Sequence, residues 1–221
     1  MPSLALIHTA HALIPEMEAL CQRLLPDVRT AHFLDETVLR DAMSRKVLDA
    51  DITQRVCEMA ILAERGGADA VFVTCSSIGP AAEKAAGIIR IPLRRIDVPM
   101  CRQAVRRGGR VAVAATVETT LAPTEDLIRA IASERGKRLR VEKALFAKAF
   151  DARLAGDAEK HDAILQEGLE KLLRRCNTLV LAQASMARVA SRLKPPTGVK
   201  ILSSPESGIR QMREFLTAPA Q

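Results

Sequence analysis

The chain has 221 residues, 48% of hydrophobic type but only 2% aromatic, with no Trp or Tyr, and a formal net charge of +7. That composition supports an aliphatic core and argues against the aromatic platforms on which single-stranded nucleic acid stacks. The five cysteines are widely spaced, odd in number and free of CxxC or Cys/His clusters, so they read as free thiols rather than a disulfide framework or a metal centre.

In chain order, a first strand is predicted over 3–8 and a helix over 14–24. Pro26-Asp27 turns the chain into a strand near 28–33, and Asp35 is placed to cap a short helix with Glu36 in its first turn. A long amphipathic helix over 50–65 stops at Gly66-Gly67. A strand over 70–74, a helix over 80–87 and a short strand over 91–95 follow, and a further helix from Asp97-Val98-Pro99 ends at Gly108-Gly109. Next come a strand over 111–115, a helix opened by Pro123 and running to about 135, and a strand near 138–145. Asp157 caps a helix from 158 to 175, and His161, one turn into it, reads as structural. A strand over 178–182, a helix over 185–192, a loop at Pro195-Pro196-Thr197-Gly198, a strand over 199–203 and a helix from about Pro205 complete the chain. Strands alternating with helices indicate an α/β protein with parallel sheets.

Within that order the segment Val71-Phe72-Val73-Thr74-Cys75-Ser76-Ser77-Ile78-Gly79 stands out. An apolar strand ends in a thiol and two hydroxyls and runs into a helix. Ligands of open α/β sheets bind beyond such strand ends, where a helix's first turn offers N–H groups and favours anions. A thiol placed there ionises more readily than one in an apolar core. The competing reading is a small buried hydrophobe.

The segment recurs as Asn177-Thr178-Leu179-Val180-Leu181-Ala182-Gln183-Ala184-Ser185-Met186, at an offset of 108 residues. The same offset pairs Pro15 with Pro123, Asp69 with Asn177, and the strand 91–95 with 199–203. Leu4 to Thr9 resembles Val111 to Thr116 with a one-residue slip. One α/β unit is therefore expected twice, with its two sites facing each other by pseudo-symmetry, and Cys75 of the first copy corresponds to Gln183 of the second.

Four strand ends would line a crevice between the halves. They carry His8 and Thr9; Thr74, Cys75, Ser76 and Ser77; Thr116, Thr119 and Thr120; and Gln183, Ala184 and Ser185. Small hydroxyls and N–H groups at helix starts suit a carboxylate, although Ser and Thr also serve there as caps. His8 reads either as a general acid/base or as a hydrogen-bonded structural residue, and His11 and His32 have weaker claims. The small basic clusters at Arg94-Arg95, Arg106-Arg107 and Lys137 to Arg140 read as a solvated exterior, with attraction of an anionic substrate as the other option. No nucleotide-binding glycine fingerprint, helix-turn-helix, zinc-finger spacing, signal-type N-terminus or run of 18 apolar residues is found, so a cytoplasmic protein without nucleic-acid or membrane partners is expected.

These residues resemble the aspartate/glutamate/hydantoin racemase superfamily over nearly the whole length. Thr74-Cys75-Ser76 is similar to the family's first catalytic cysteine motif, and Leu181-Ala182-Gln183-Ala184-Ser185-Met186 to its second, which usually reads Leu-Gly-Cys. Gly109-Arg110-Val111 through Thr120 resembles the opening of the second half, and Leu202-Ser203-Ser204-Pro205 the strand that returns the chain to the first domain. The resemblance implies two pseudo-symmetric α/β domains, 1–97 with 205–221 and 98–204, with the active site in the interdomain crevice. It also implies proton transfer beside the carboxylate of a small substrate, without cofactor or metal, in a protein for which a homo-oligomer is one option. Cys75 and His8 would be catalytic, and Thr9, Thr74, Ser76, Ser77, Thr116, Thr120, Gln183, Ala184 and Ser185 would bind substrate.

Two departures matter. In two-base racemases of this kind one cysteine takes the α-proton and the other delivers one to the opposite face, but a glutamine amide exchanges no proton near neutral pH. The first half also reads His8-Thr9-Ala10-His11 where the family has Asp-Ser or Asn-Pro-Asn. The expectation is a single-cysteine isomerase of racemase or epimerase type. A one-thiol lyase is the first alternative, since arylmalonate decarboxylases of the superfamily use one cysteine, although theirs resembles the second position. A non-catalytic carboxylate-binding protein is the second.

Overall fold

The structure is a computed structural model and describes residues 1–217. The chain divides into two compact units, one of Met1–Val98 with the segment from Pro205, the other of Pro99–Ser204.

The first unit is built on β1 (Ser3–His8), β2 (Arg29–Leu34), β3 (Ala70–Val73) and β4 (Leu93–Arg95), all parallel, in the order β2-β1-β3-β4. The central strands read as continuous apolar runs and β3 is buried throughout, as a parallel sheet covered on both faces requires. One face packs on α2 (Glu36–Arg45), α3 (Ala50–Arg65) and α4 (Gly79–Ala86), through Ala5, Ile7, Val71 and Val73. The other packs on α1 (Ile14–Leu24) and α10 (Ser204–Thr217), through Leu4, Leu6, Ala70 and Phe72. Asp35 caps α2 by accepting from the Thr37 N–H at 2.9 Å, and Gly67, at φ +79°, takes the left-handed turn after α3.

The second unit repeats the plan. Its strands are β5 (Arg110–Ala115), β6 (Arg140–Leu145), β7 (Thr178–Leu181) and β8 (Lys200–Ser203), parallel in the order β6-β5-β7-β8. The helices α5 (Val98–Arg107) and α6 (Glu118–Glu134) cover one face, while α7 (Ala147–Leu154), α8 (Ala158–Leu173) and α9 (Ala187–Ala190) cover the other. Asp157 caps α8, accepting from the Lys160 N–H at 2.9 Å.

Several elements differ from the sequence pattern. The helix expected to open at Pro123 begins at Glu118, and Pro123 lies inside it. A proline there forfeits one N–H bond but still has a helical φ, and the apolar positions Leu121, Ile128 and Ile131 hold the helix to the sheet. The sequence reading assigns no element between the strand near 138–145 and the helix capped by Asp157, where the structure places α7, although Ala147-Lys148-Ala149 is good helix-forming sequence. The helices expected at 80–87 and 185–192 are each preceded by a 3-10 turn, at Ser76–Ile78 and Ala184–Met186, and α9 is one turn long.

Candidate active site

The carboxyl end of β3 carries Thr74 and Cys75. Thr74 continues the strand's hydrogen bonding, donating its N–H to the Ile7 carbonyl at 3.0 Å. Cys75 stays extended (φ −119°, ψ 115°) and starts the 3-10 turn, whose Ile78 N–H bonds the Cys75 carbonyl at 3.4 Å before α4 begins. Of the five cysteines Cys75 is half-buried and the other four are buried. Burial pushes the Cys21 thiol up to about 11, with Glu18 adding to it, and raises those of Cys57 and Cys176. Ser76 and Ser77 are buried within the turn.

An ion cluster sets the start of α4. Arg95 and Asp97 are buried and paired through two bonds, Nε to Oδ1 at 3.0 Å and Nη2 to Oδ2 at 2.8 Å. Arg95 also donates from Nη1 to Glu83 of α4. Its guanidinium lies against Gly79, where a Cβ would collide with Nη2 unless the arginine, held by Asp97 and Glu83, moved aside. The arginine thus joins β4 to the first turn of α4, directly after the cysteine turn.

Strand alternation puts Leu4, Leu6 and His8 of β1 on the face that meets α1, next to Ala70, Phe72 and Thr74 of the neighbouring chain segment. His8 is fully buried there, and both ring nitrogens are engaged. Its Nδ1 is 2.8 Å from Thr74 Oγ1, and its Nε2 is 2.9 Å from Nδ1 of His32 on β2. The two rings stack at 5.1 Å, and His32 Nε2 is 3.6 Å from Glu18 Oε2 of α1. Burial first, and His32 second, lower the His8 pKa to about 4, so His8 is neutral at physiological pH. His8 is therefore enclosed between Thr74 on one ring nitrogen and His32 on the other. Thr9, the next residue, is buried.

In the second unit Gln183 holds the position of Cys75, with nearly the same extended backbone (φ −117°, ψ 134°), and starts the matching turn, closed by the Met186 N–H to the Gln183 carbonyl at 3.1 Å. Its Oε1 accepts from the Thr116 N–H at 2.5 Å and the Thr116 hydroxyl at 2.9 Å. The amide is thereby fixed, with its NH2 left to donate. Ala184 and Ser185 are half-buried, while Thr116 and Thr120 are buried at the end of β5 and the start of α6. His161 is buried against Asp162, its Nδ1 3.0 Å from Oδ1, matching its structural reading.

The structure thus groups Thr74, Cys75, Ser76 and Ser77 at one strand end with His8 behind them, and groups Thr116, Gln183, Ala184 and Ser185 at the equivalent end in the second unit. Sequence reasoning gave little weight to His32 and none to Glu18, and it read Arg95 as part of a solvated basic exterior, whereas Arg95 is buried because Asp97 and Glu83 compensate its charge. His32 had a usable signal, since it is polar on a strand position that alternation directs toward the helix layer. Among the described residues no group of three His, Cys, Asp or Glu side chains is arranged to hold a metal ion, and no helix is long and apolar enough to cross a membrane.

Solved structures with the same fold include the glutamate racemase of Francisella tularensis in complex with D-glutamate, at a TM-score of 0.71 and 14% identity, covering 97% of this chain and 80% of that one. The allantoin racemase of Klebsiella pneumoniae gives 0.67 and 16%, covering 99% and 88%. The aspartate racemase of Picrophilus torridus gives 0.76 and 8%, covering 100% and 96%. No curated protein matches the chain. A family model described as Asp/Glu/Hydantoin racemase matches residues 7–212, and the chain therefore belongs to that family of racemases.

Proposed function

We propose that this protein is a cofactor-independent isomerase-like enzyme, of racemase or epimerase type in its fold and site, that exchanges a proton next to a carboxylate using one cysteine, Cys75. The observation that carries the reading is the matched pair of strand ends. Two segments with the same strand, turn and backbone angles differ in that one ends in a half-buried thiol and the other in an amide. The thiol of Cys75 can exchange a proton; the amide of Gln183 cannot. Held by Thr116, Gln183 offers N–H donors suited to a carboxylate oxygen or to the enolate-like charge that forms when the α-proton leaves. The proposed substrate-binding residues are Thr9, Thr74, Ser76 and Ser77 at the strand ends of the first unit, and Thr116, Thr120, Gln183, Ala184 and Ser185 at those of the second. The D-glutamate bound by the Francisella tularensis racemase supports a small carboxylate as the ligand class.

The fixed amide also favours one further reading, a lyase that protonates an enediolate from a single thiol after losing carbon dioxide. The test is a screen in heavy water with both enantiomers of aspartate and glutamate, a 5-substituted hydantoin and phenylmalonate. The isomerase reading predicts α-deuterium uptake in one enantiomer of a substrate, with no carbon dioxide release. Carbon dioxide release from phenylmalonate would replace it with the lyase. Tight binding without exchange or release would make the protein a carboxylate binder. If geometry is retained, Gln183→Cys adds exchange at the second face.

A further inference from the structure

We propose that Thr9 is the oxygen cradle of the Cys75 site: its backbone N–H and its hydroxyl together hold one carboxylate oxygen of the substrate. The proposal rests on the proton-transfer reading of Cys75 and assigns where the acid is gripped.

The second unit shows the binding mode. Both units keep one register where their central strands meet. Ile7 of β1 pairs with Val73 of β3, and Ala114 of β5 pairs with Leu181 of β7. The bonds just beyond also match. The Thr74 N–H donates to the Ile7 carbonyl at 3.0 Å, and the Ala182 N–H to the Ala114 carbonyl at 2.9 Å. Two residues past each pair come Thr9 with Cys75 in the first unit and Thr116 with Gln183 in the second. Cys75 packs with Ile7 and Val73, on the sheet face that alternation denies to His8 and Thr74 and gives to Thr9.

At this place in the second unit one carbonyl-type oxygen is held twice. Gln183 Oε1 accepts from the Thr116 N–H at 2.5 Å and from the Thr116 hydroxyl at 2.9 Å. A backbone N–H can only donate, so the atom it holds is the amide oxygen and not the amide nitrogen. The cradle of the second unit is thus filled from within, by a side chain that carries the same kind of oxygen as a carboxylate. Thr9 and Thr116 are buried alike, each 4% exposed. Yet among the described residues no acceptor takes the Thr9 N–H or its hydroxyl. Cys75 has no oxygen to offer them. Buried donors are as a rule paired, and Gln183 shows which group pairs with these two.

The assignment gives Thr9 a role in the chemistry. Cys75, as the thiolate, takes the α-proton. The C–H electron pair moves into the carboxylate, and charge grows on the oxygen that Thr9 holds. Two donors aimed at that oxygen stabilise the enolate-like state more than the bound acid. When the thiol returns its proton, or a deuteron gained from heavy water, the pair re-forms the bond to carbon and the oxygen gives up its extra charge.

The test uses the full chain, uniformly labelled with 15N and titrated with acetate and, separately, with acetamide. Both probes carry the oxygen and need no turnover. The Thr116 amide signal should lie downfield before any addition, and the Thr9 amide should move downfield as either probe binds. Thr9→Val keeps the N–H and removes the hydroxyl; acetate affinity, read from the amide at position 9, should fall about tenfold or more, and Thr9→Ser should restore it. In Gln183→Ala the Thr116 amide should lose its downfield position and regain it with acetamide. On whichever of aspartate, glutamate or the 5-substituted hydantoin the wild type exchanges, Thr9→Val should lower the saturated rate of α-deuterium uptake about a hundredfold, with a far smaller change in KM. A Thr9 amide that ignores both probes, or acetate bound as tightly by Thr9→Val as by the wild type, would overturn the cradle. A Thr116 amide unmoved by Gln183→Ala would overturn the binding mode on which it is built. A wild type that takes up no deuterium on any substrate while its Thr9 amide still answers acetate would count against the Cys75 reading and leave the cradle standing.

Discussion

Cys75 differs from Cys21, Cys57, Cys101 and Cys176 in access: they are buried and it is half-buried at the start of a turn. Three of the four also have thiols pushed up by burial, which lowers their thiolate fraction. Limiting iodoacetamide at neutral pH should therefore modify Cys75 first, read by peptide mass spectrometry; prior labelling of Cys57 or Cys101 would contradict this. His8 yields a stability prediction. Its pKa falls from 6.5 to about 4 on folding, so the unfolded chain binds the extra proton between those values. The stability due to neutral His8 is complete above about pH 6.5 and declines as pH falls toward 4, by up to ~3 kcal/mol. Urea unfolding should show that slope in the wild type and a loss of up to one proton's worth in His8→Gln. The Cys75–Gln183 correspondence was legible in the sequence because both residues sit at the same place in a repeated apolar strand. The His8–His32 contact was not, since it depends on which strands pair, and the two residues are diagonal across β1 and β2.

At the scale of elements, the turn after β3 is held by a contact between the start of α4 and the end of β4, the next element along the chain. Gly79 accepts the Arg95 guanidinium, which Asp97 and Glu83 pin in place. Gly79→Ala should cost ~1–3 kcal/mol by overpacking, measured by chemical denaturation, and should slow alkylation of Cys75 or change its rate by moving the turn. Arg95→Met should cost more, ~3–5 kcal/mol, because Asp97 is left buried without its partner. Stability unchanged in both would mean that the ion cluster does not hold this turn. The strands and the caps Asp35, Asp157 and Gly66-Gly67 were legible because apolar runs and capping chemistry are local. The start of α6 was not, because proline is favoured at first turns and the reading placed it there. Here tertiary packing of Leu121, Ile128 and Ile131 extends the helix upstream of Pro123.

Across the whole molecule, one strand order is used in both units, and the strand-and-turn segments that end in Cys75 and Gln183 match at 108 residues throughout. The repetition makes the difference between the two strand ends interpretable: the scaffold is kept, with a thiol at one strand end where the other carries an amide. The central claim is that Cys75 alone exchanges the substrate proton. The most direct measurement is α-deuterium uptake from heavy water, followed by proton NMR, for each enantiomer of aspartate and glutamate and for the 5-substituted hydantoin, with wild type and Cys75→Ala side by side. The account predicts uptake in one enantiomer by the wild type and none by Cys75→Ala. Undiminished uptake in Cys75→Ala, or rapid interconversion of both enantiomers by the wild type, would contradict it.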